Sequence, residues 1–119
     1  MSNNTIQYSS EKLKKFEIIL DEALRLTKEE LENLKNDRKA QKQHLAQTNV
    51  DFNQSSKHFQ QQAKDKQLIN RLQRKSRELQ SALKRIQDKT YGVCERTGQL
   101  IREDRLIAKP TARFDILNT

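Results

Sequence analysis

Tyr91-Gly92-Val93-Cys94-Glu95-Arg96-Thr97-Gly98 and, a little farther on, Arg105-Leu106-Ile107-Ala108-Lys109-Pro110-Thr111-Ala112 decide how this chain is read. Both glycines of the protein, its only proline and its only cysteine lie in these two segments. Glycine permits backbone angles that other residues resist, and proline cannot continue a helix, so the chain must turn tightly here. Everything before Tyr91 is long, polar and free of both residues. The sequence therefore divides into a helical arm and a small C-terminal knob.

Upstream of the knob, hydrophobic spacing defines the arm. Leu13, Leu20, Thr27, Leu34 and Gln41 recur every seven residues, with Leu24, Leu31, Arg38 and Leu45 as the companion row. Ser9 and Ser10 precede Glu11, a pattern that caps and begins a helix. These signals predict an amphipathic helix from about residue 10 to 47, with a seam that is rich early and poor after Leu34. A polar stretch, Thr48 to Ser56, breaks the period. Ile69, Leu72, Ser76, Leu79, Leu83 and Ile86 then mark a second seam. Two such helices joined by a short polar link fold most simply as an antiparallel hairpin. The expected organisation is a flexible leader over residues 1–9, a coiled-coil hairpin over 10–90 with its tip at about 48–56, and the knob over 91–119.

Composition narrows the function. The chain has 119 residues, a mean hydropathy of −1.05 and a hydrophobic fraction of 33%, too little apolar material for a thick globular core. A mainly α, elongated fold with a thin apolar seam is expected. Between Lys35 and Arg77, eleven Lys or Arg face three Asp, which accounts for the whole net charge of +8. The far half of the hairpin is thus a basic rod, suited either to a negatively charged partner or simply to solvation. No apolar run approaches the roughly 18 residues needed to span a membrane. A single cysteine cannot form an internal disulfide, and no secretion signal is expected, so a cytoplasmic protein is predicted. No Ser/His/Asp, Cys/His or paired-carboxylate constellation sits on a framework that forms a pocket, so no enzyme is expected.

The knob resembles the DksA/TraR family of bacterial RNA polymerase regulators. The matching positions are Ile86, Tyr91, Gly92, Cys94, Gly98, Ile101, Arg105, Leu106, Ala108, Pro110, Thr111 and Ala112. Members of that family join a coiled-coil hairpin to a globular zinc-finger-like module. The family's four cysteines fall here on Cys94, Thr97, Asp115 and Asn118, so one thiolate remains where a structural zinc site needs four nitrogen or sulfur ligands. The knob is accordingly expected to lack metal and any cofactor. Packing by Val93, Leu100, Ile101, Leu106, Ile107, Phe114, Ile116 and Leu117, in short strands or turns, is expected to hold it, with Cys94 as a small buried hydrophobe.

The resemblance also implies a mode of action. In this family the hairpin enters the secondary channel of RNA polymerase and its tip approaches the catalytic centre. The family's Asp-x-x-Asp-x-Ala tip becomes Asp51, Gln54 and Ser56 here, which keeps the first carboxylate and loses the second. Arg71 and Arg105 fall where members contact polymerase. The family's guanosine tetraphosphate site keeps a basic residue at Lys109 but has Glu78 in place of a lysine, which predicts weak nucleotide binding or none. The implied partner is RNA polymerase, with contact to RNA or active-site phosphates, and the hairpin is expected to work as a monomer. Two other classes remain open from the residues alone, a non-specific nucleic-acid-binding coiled coil and a purely structural one.

Overall fold

A computed structural model describes residues 6–47 and 52–115. Its elements are α1 (Ser10–Gln47), α2 (Phe52–Gln87) and the short α3 (Glu103–Ala108), and the two long helices make a helical hairpin. The main-chain N–H of Lys12 donates to the Ser9 hydroxyl at 3.3 Å, so α1 is capped by the serine that its sequence indicates.

The chain falls into two compact units, one of residues 1–24 with 77–119 and one of residues 25–76. The first holds the core. Leu13, Phe16 and Leu20 of α1 and Leu79, Ala82 and Ile86 of α2 are buried together with Tyr91, Cys94, Ile101, Leu106 and Ala112 of the knob. Phe16 and Tyr91 form its aromatic centre, their rings 5.4 Å apart. The Tyr91 hydroxyl donates to the carbonyl of Pro110 at 2.7 Å, which satisfies the polar end of a fully buried ring.

In the second unit Ile69 and Leu72 are buried, and so is the seam residue Thr27 at 1% exposure. Ser76, at the end of that unit, is also buried in its predicted seam position. Leu31, Leu34 and Arg38 are only half-buried and Gln41 is exposed, so the apolar seam thins as its sequence indicates. Asp65 is buried as well, accepting from the Gln61 amide at 3.0 Å one helical turn away.

Four expectations need correction. The predicted leader ends in a core residue, for Tyr8 is buried, meets Phe16 edge-on at 6.3 Å and donates its hydroxyl to the Ile101 carbonyl. Second, α2 begins at Phe52, so Gln54 and Ser56 belong to a helix and not to the tip link. Serine, asparagine and glutamine are compatible with a first helical turn, whose N–H groups have no partner within the helix.

Third, the knob has no paired strands among the described residues beyond one isolated bridge, Val93 to Leu100. Leu106 and Ala108 lie in α3, whose first turn carries Glu103 and Asp104, a charge placement that favours a helix N-terminus. Fourth, Ile107 and Phe114 are exposed, at 56% and 39%, and only Leu106 of α3 reaches the core. Ile116 and Leu117 lie outside the described residues.

Among the described residues, left-handed backbone occurs at three places. Lys89 has φ 63° where α2 ends, and Gly92 and Gly98 have φ of 79° and 75° in the turns that follow. At Lys89 the N–H groups of Thr90 and Tyr91 reach back to the Arg85 carbonyl at 2.8 and 3.1 Å, which closes the helix end. A lysine there carries a side chain in a conformation that glycine adopts without strain.

Candidate functional site

The knob is built on a tight loop around Cys94. Its N–H donates to the Gln99 carbonyl at 2.7 Å, the Gly98 N–H returns to the Cys94 carbonyl at 2.8 Å, and the Ile101 N–H reaches the Gly92 carbonyl at 2.7 Å. From the other side, the Glu95 N–H donates to the Arg113 carbonyl at 2.8 Å, which ties the loop to the C-terminal segment.

This loop directs hydrogen bonds at one sulfur. The Thr97 hydroxyl and the main-chain N–H groups of Asp115, Thr97 and Arg96 surround Cys94 Sγ. They stabilise the thiolate, Thr97 most of all, and pull the thiol down to about 7 from its ordinary 9.0 against the opposing effect of burial. Cys94 is 2% exposed, as expected of a core residue, yet it is not an inert hydrophobe. The Asp115 carboxylate points away, toward Arg102 Nε at 3.5 Å, and is itself almost covered. Asn118 lies outside the described residues. One thiol, one hydroxyl already bonded to it and one carboxylate engaged by arginine do not fit a four-thiolate zinc site. Among the described residues no group of three or more His, Cys, Asp or Glu is suited to hold a metal ion.

Charged side chains brace the knob on two sides. Lys12 and Lys15 of α1 reach Glu103 at 3.0 and 3.7 Å, and Lys12 chiefly holds that carboxyl below its usual range. Arg113 reaches Glu95 at 3.0 Å and Glu78 of α2 at 3.4 Å, and these two carboxylates, Glu78 foremost, raise its own pKa.

The predicted contact residues fall in separate places. Arg105 is half-buried on α3 and shares a groove with Lys109, Glu78, Thr111, Ala112, Arg113 and Phe114. The fold thus brings Arg105 and Lys109 together, beside the carboxylate of Glu78. Arg105 Nε is buried without a hydrogen-bond partner. Arg71 belongs to the other unit, where it is exposed on α2 beside Lys64, Gln67 and Leu68. Of the tip residues, Ser56 is half-buried in the second turn of α2, Gln54 lies in its first, and Asp51 lies outside the described residues.

A second basic groove of that unit was not singled out from sequence. Lys35, Arg38, Lys39 and Lys42 line it together with Ile69. Their spacing of three, four and seven residues is the signature of one helix face, so the signal was present within the charge run.

Comparison with known proteins places this geometry. Residues 89–114 match the family model described as the prokaryotic dksA/traR C4-type zinc finger. Over those residues the C-terminal module is similar to the DksA/TraR zinc finger. General stress protein 16O of Bacillus subtilis (strain 168) is 51% identical over 39 residues, which cover 33% of this chain and 24% of that protein. The structure of transcription factor DksA2 from Pseudomonas aeruginosa superposes with a TM-score of 0.80, covering 92% of this chain and 81% of that one at 21% identity. The DksA-type fold therefore extends over the helical hairpin as well as the module. Where the family description specifies four cysteines, this module directs hydrogen bonds at a single sulfur.

Proposed function

We propose that this protein is a transcription regulator that binds RNA polymerase and acts by occupying its secondary channel with the helical hairpin. The observation that carries this reading is the joining of a DksA/TraR module to a hairpin with the fold of transcription factor DksA2 over 92% of the chain. The charge distribution supports it. A channel that leads to bound RNA and nucleotide is rich in phosphate, and the grooves of Lys35, Arg38, Lys39 and Lys42 and of Lys64 and Arg71 present cations to such surroundings. Arg71 on the hairpin and Arg105 on the knob are the residues assigned to polymerase contact. The protein acts by binding and not by catalysis, as a monomer, in the cytoplasm where polymerase works. No helix of the described residues is long and apolar enough to cross a membrane.

The tip departs from the Asp-x-x-Asp-x-Ala pattern at Gln54 and Ser56, so the effect on promoter complexes is carried by fewer carboxylates than in typical members. A photo-cross-linking residue placed at Gln54 tests insertion. Cross-links to the polymerase subunits around the catalytic centre are expected, and cross-links confined to the outer surface of the enzyme would refute channel entry.

A further inference from the structure

A second groove lies within the first unit. Arg77, Gln80, Ser81, Lys84, Arg85 and Asp88 of α2 line it with Arg113 of the C-terminal segment, around a volume of about 660 Å³. It shares only Arg113 with the groove of Arg105 and Lys109. Four of its seven side chains are cationic, and the one carboxylate, Asp88, faces Lys84 at 3.6 Å.

The cations are not balanced from within. Arg113 is held by Glu78 and Glu95, but neither Arg77 nor Arg85 has a carboxylate in ion-pair range among the described residues. Arg85 and Arg113 both donate to the Ser81 hydroxyl, at 2.9 and 3.0 Å, so two guanidinium groups crowd one neutral oxygen. The remaining bond of Arg85 is a long one, 3.4 Å to the Thr111 carbonyl. Burial and then the charge of Arg113 push Arg85 below its ordinary pKa, and the more weakly acting carboxylates of Glu95 and Glu78 do not offset them. Arg77 and Lys84 stand on one face of α2, separated by a rise of about 10 Å at 1.5 Å per residue. A single phosphate or sulfate is too short to engage that row, whereas a chain of two or three linked phosphates matches it, and arginine forks suit phosphate oxygens.

We propose that this groove binds an oligophosphate, two or three linked phosphates, with Arg77, Lys84 and Arg85 as the contacting cations. The group has two sources, an inorganic polyphosphate or the triphosphate of a nucleotide, and the test separates them. Calorimetric titration of the full chain with inorganic tripolyphosphate and, in parallel, with ATP is compared with sulfate at matched ionic strength. Saturable one-to-one binding of tripolyphosphate is expected, with sulfate weaker by about tenfold or more because it engages fewer cations. Tighter binding of ATP than of tripolyphosphate points to a nucleotide, and weaker binding of ATP points to the inorganic chain.

Arg77→Ala/Lys84→Ala removes two exposed side chains outside the core and is expected to weaken binding by about tenfold or more. Arg77→Gln alone, which keeps length and polarity, is expected to weaken it measurably with an unchanged unfolding midpoint. Lys109→Ala is expected to leave it unchanged. Absence of saturable binding, a double variant that binds as the natural chain does, or a loss with Lys109→Ala as large as with the double variant would each overturn the proposal.

Discussion

Replacing Gly92 by alanine strikes the contact that joins the N-terminal segment to the knob. Gly92 has φ 79°, and a Cβ built there lies 2.5 and 2.6 Å from two ring carbons of Tyr8 and 3.2 Å from Leu106 Cδ1. Left-handed backbone costs an alanine about 1–2 kcal/mol, and forcing extra volume into a packed site costs about 1–3 kcal/mol. Gly92→Ala is therefore expected to destabilise the protein by about 3 kcal/mol. Gly98 provides the internal control, with φ 75° and nothing within 4 Å of its built Cβ. Gly98→Ala should carry the backbone strain alone, about 1 kcal/mol. The assay is urea unfolding of the two variants, of Tyr8→Ala and of Tyr8→Ala/Gly92→Ala, with slopes checked for constancy. Once the ring is gone the clash is gone, so the double variant should lose about 1–2 kcal/mol less than the sum of the single losses. Equal losses for Gly92→Ala and Gly98→Ala, or a cycle that closes at zero, would refute the packing of Tyr8 on this glycine.

Lys89→Gly should stabilise the protein by about 1 kcal/mol, measured as a shift in unfolding midpoint, because it relieves a left-handed lysine at the end of α2. Tyr91→Phe should destabilise by about 1–3 kcal/mol in the same assay, since it leaves the Pro110 carbonyl without its donor. The Cys94 thiol should titrate near 7 by thiolate absorbance, and Thr97→Val should raise that value by removing the strongest of its hydrogen bonds. Because the folded value lies below the ordinary one, the linked stability is fully present above about pH 9, is lost as pH falls through about 7, and should be missing from Cys94→Ala. A strong chelator should leave the unfolding curve in place, and a large destabilisation on chelation would contradict a knob held by packing and hydrogen bonds.

The arms were legible because period is a local property. A heptad row that includes Thr27 and Ser76 at core positions is recognisable even though both residues are polar, and both are buried. The knob boundary was legible from Gly92, Gly98 and Pro110. Tyr8 was not, since a lone aromatic in a polar stretch has no periodic neighbours, and its partners Gly92 and Ile101 lie at the other end of the chain. The same limit hid α3, where Leu106 alone points inward and mimics strand alternation. At the candidate site, Arg105 and Lys109 were identified singly, but their grouping with Glu78 and Arg113 depends on tertiary packing. The basic groove of Lys35, Arg38, Lys39 and Lys42 was readable by spacing. The groove of Arg77, Lys84, Arg85 and Arg113 was not, because Arg113 is distant in sequence from the α2 residues it joins.

The central claim is that this chain engages RNA polymerase through both the hairpin and the knob. Its most direct test is the affinity of the purified protein for its host's core polymerase across a salt series, beside an Arg71→Ala/Arg105→Ala variant. Saturable one-to-one binding that weakens with salt, and weakens further by about tenfold in the double variant, is the predicted result. No binding at physiological salt, or binding indifferent to the double variant, would contradict it.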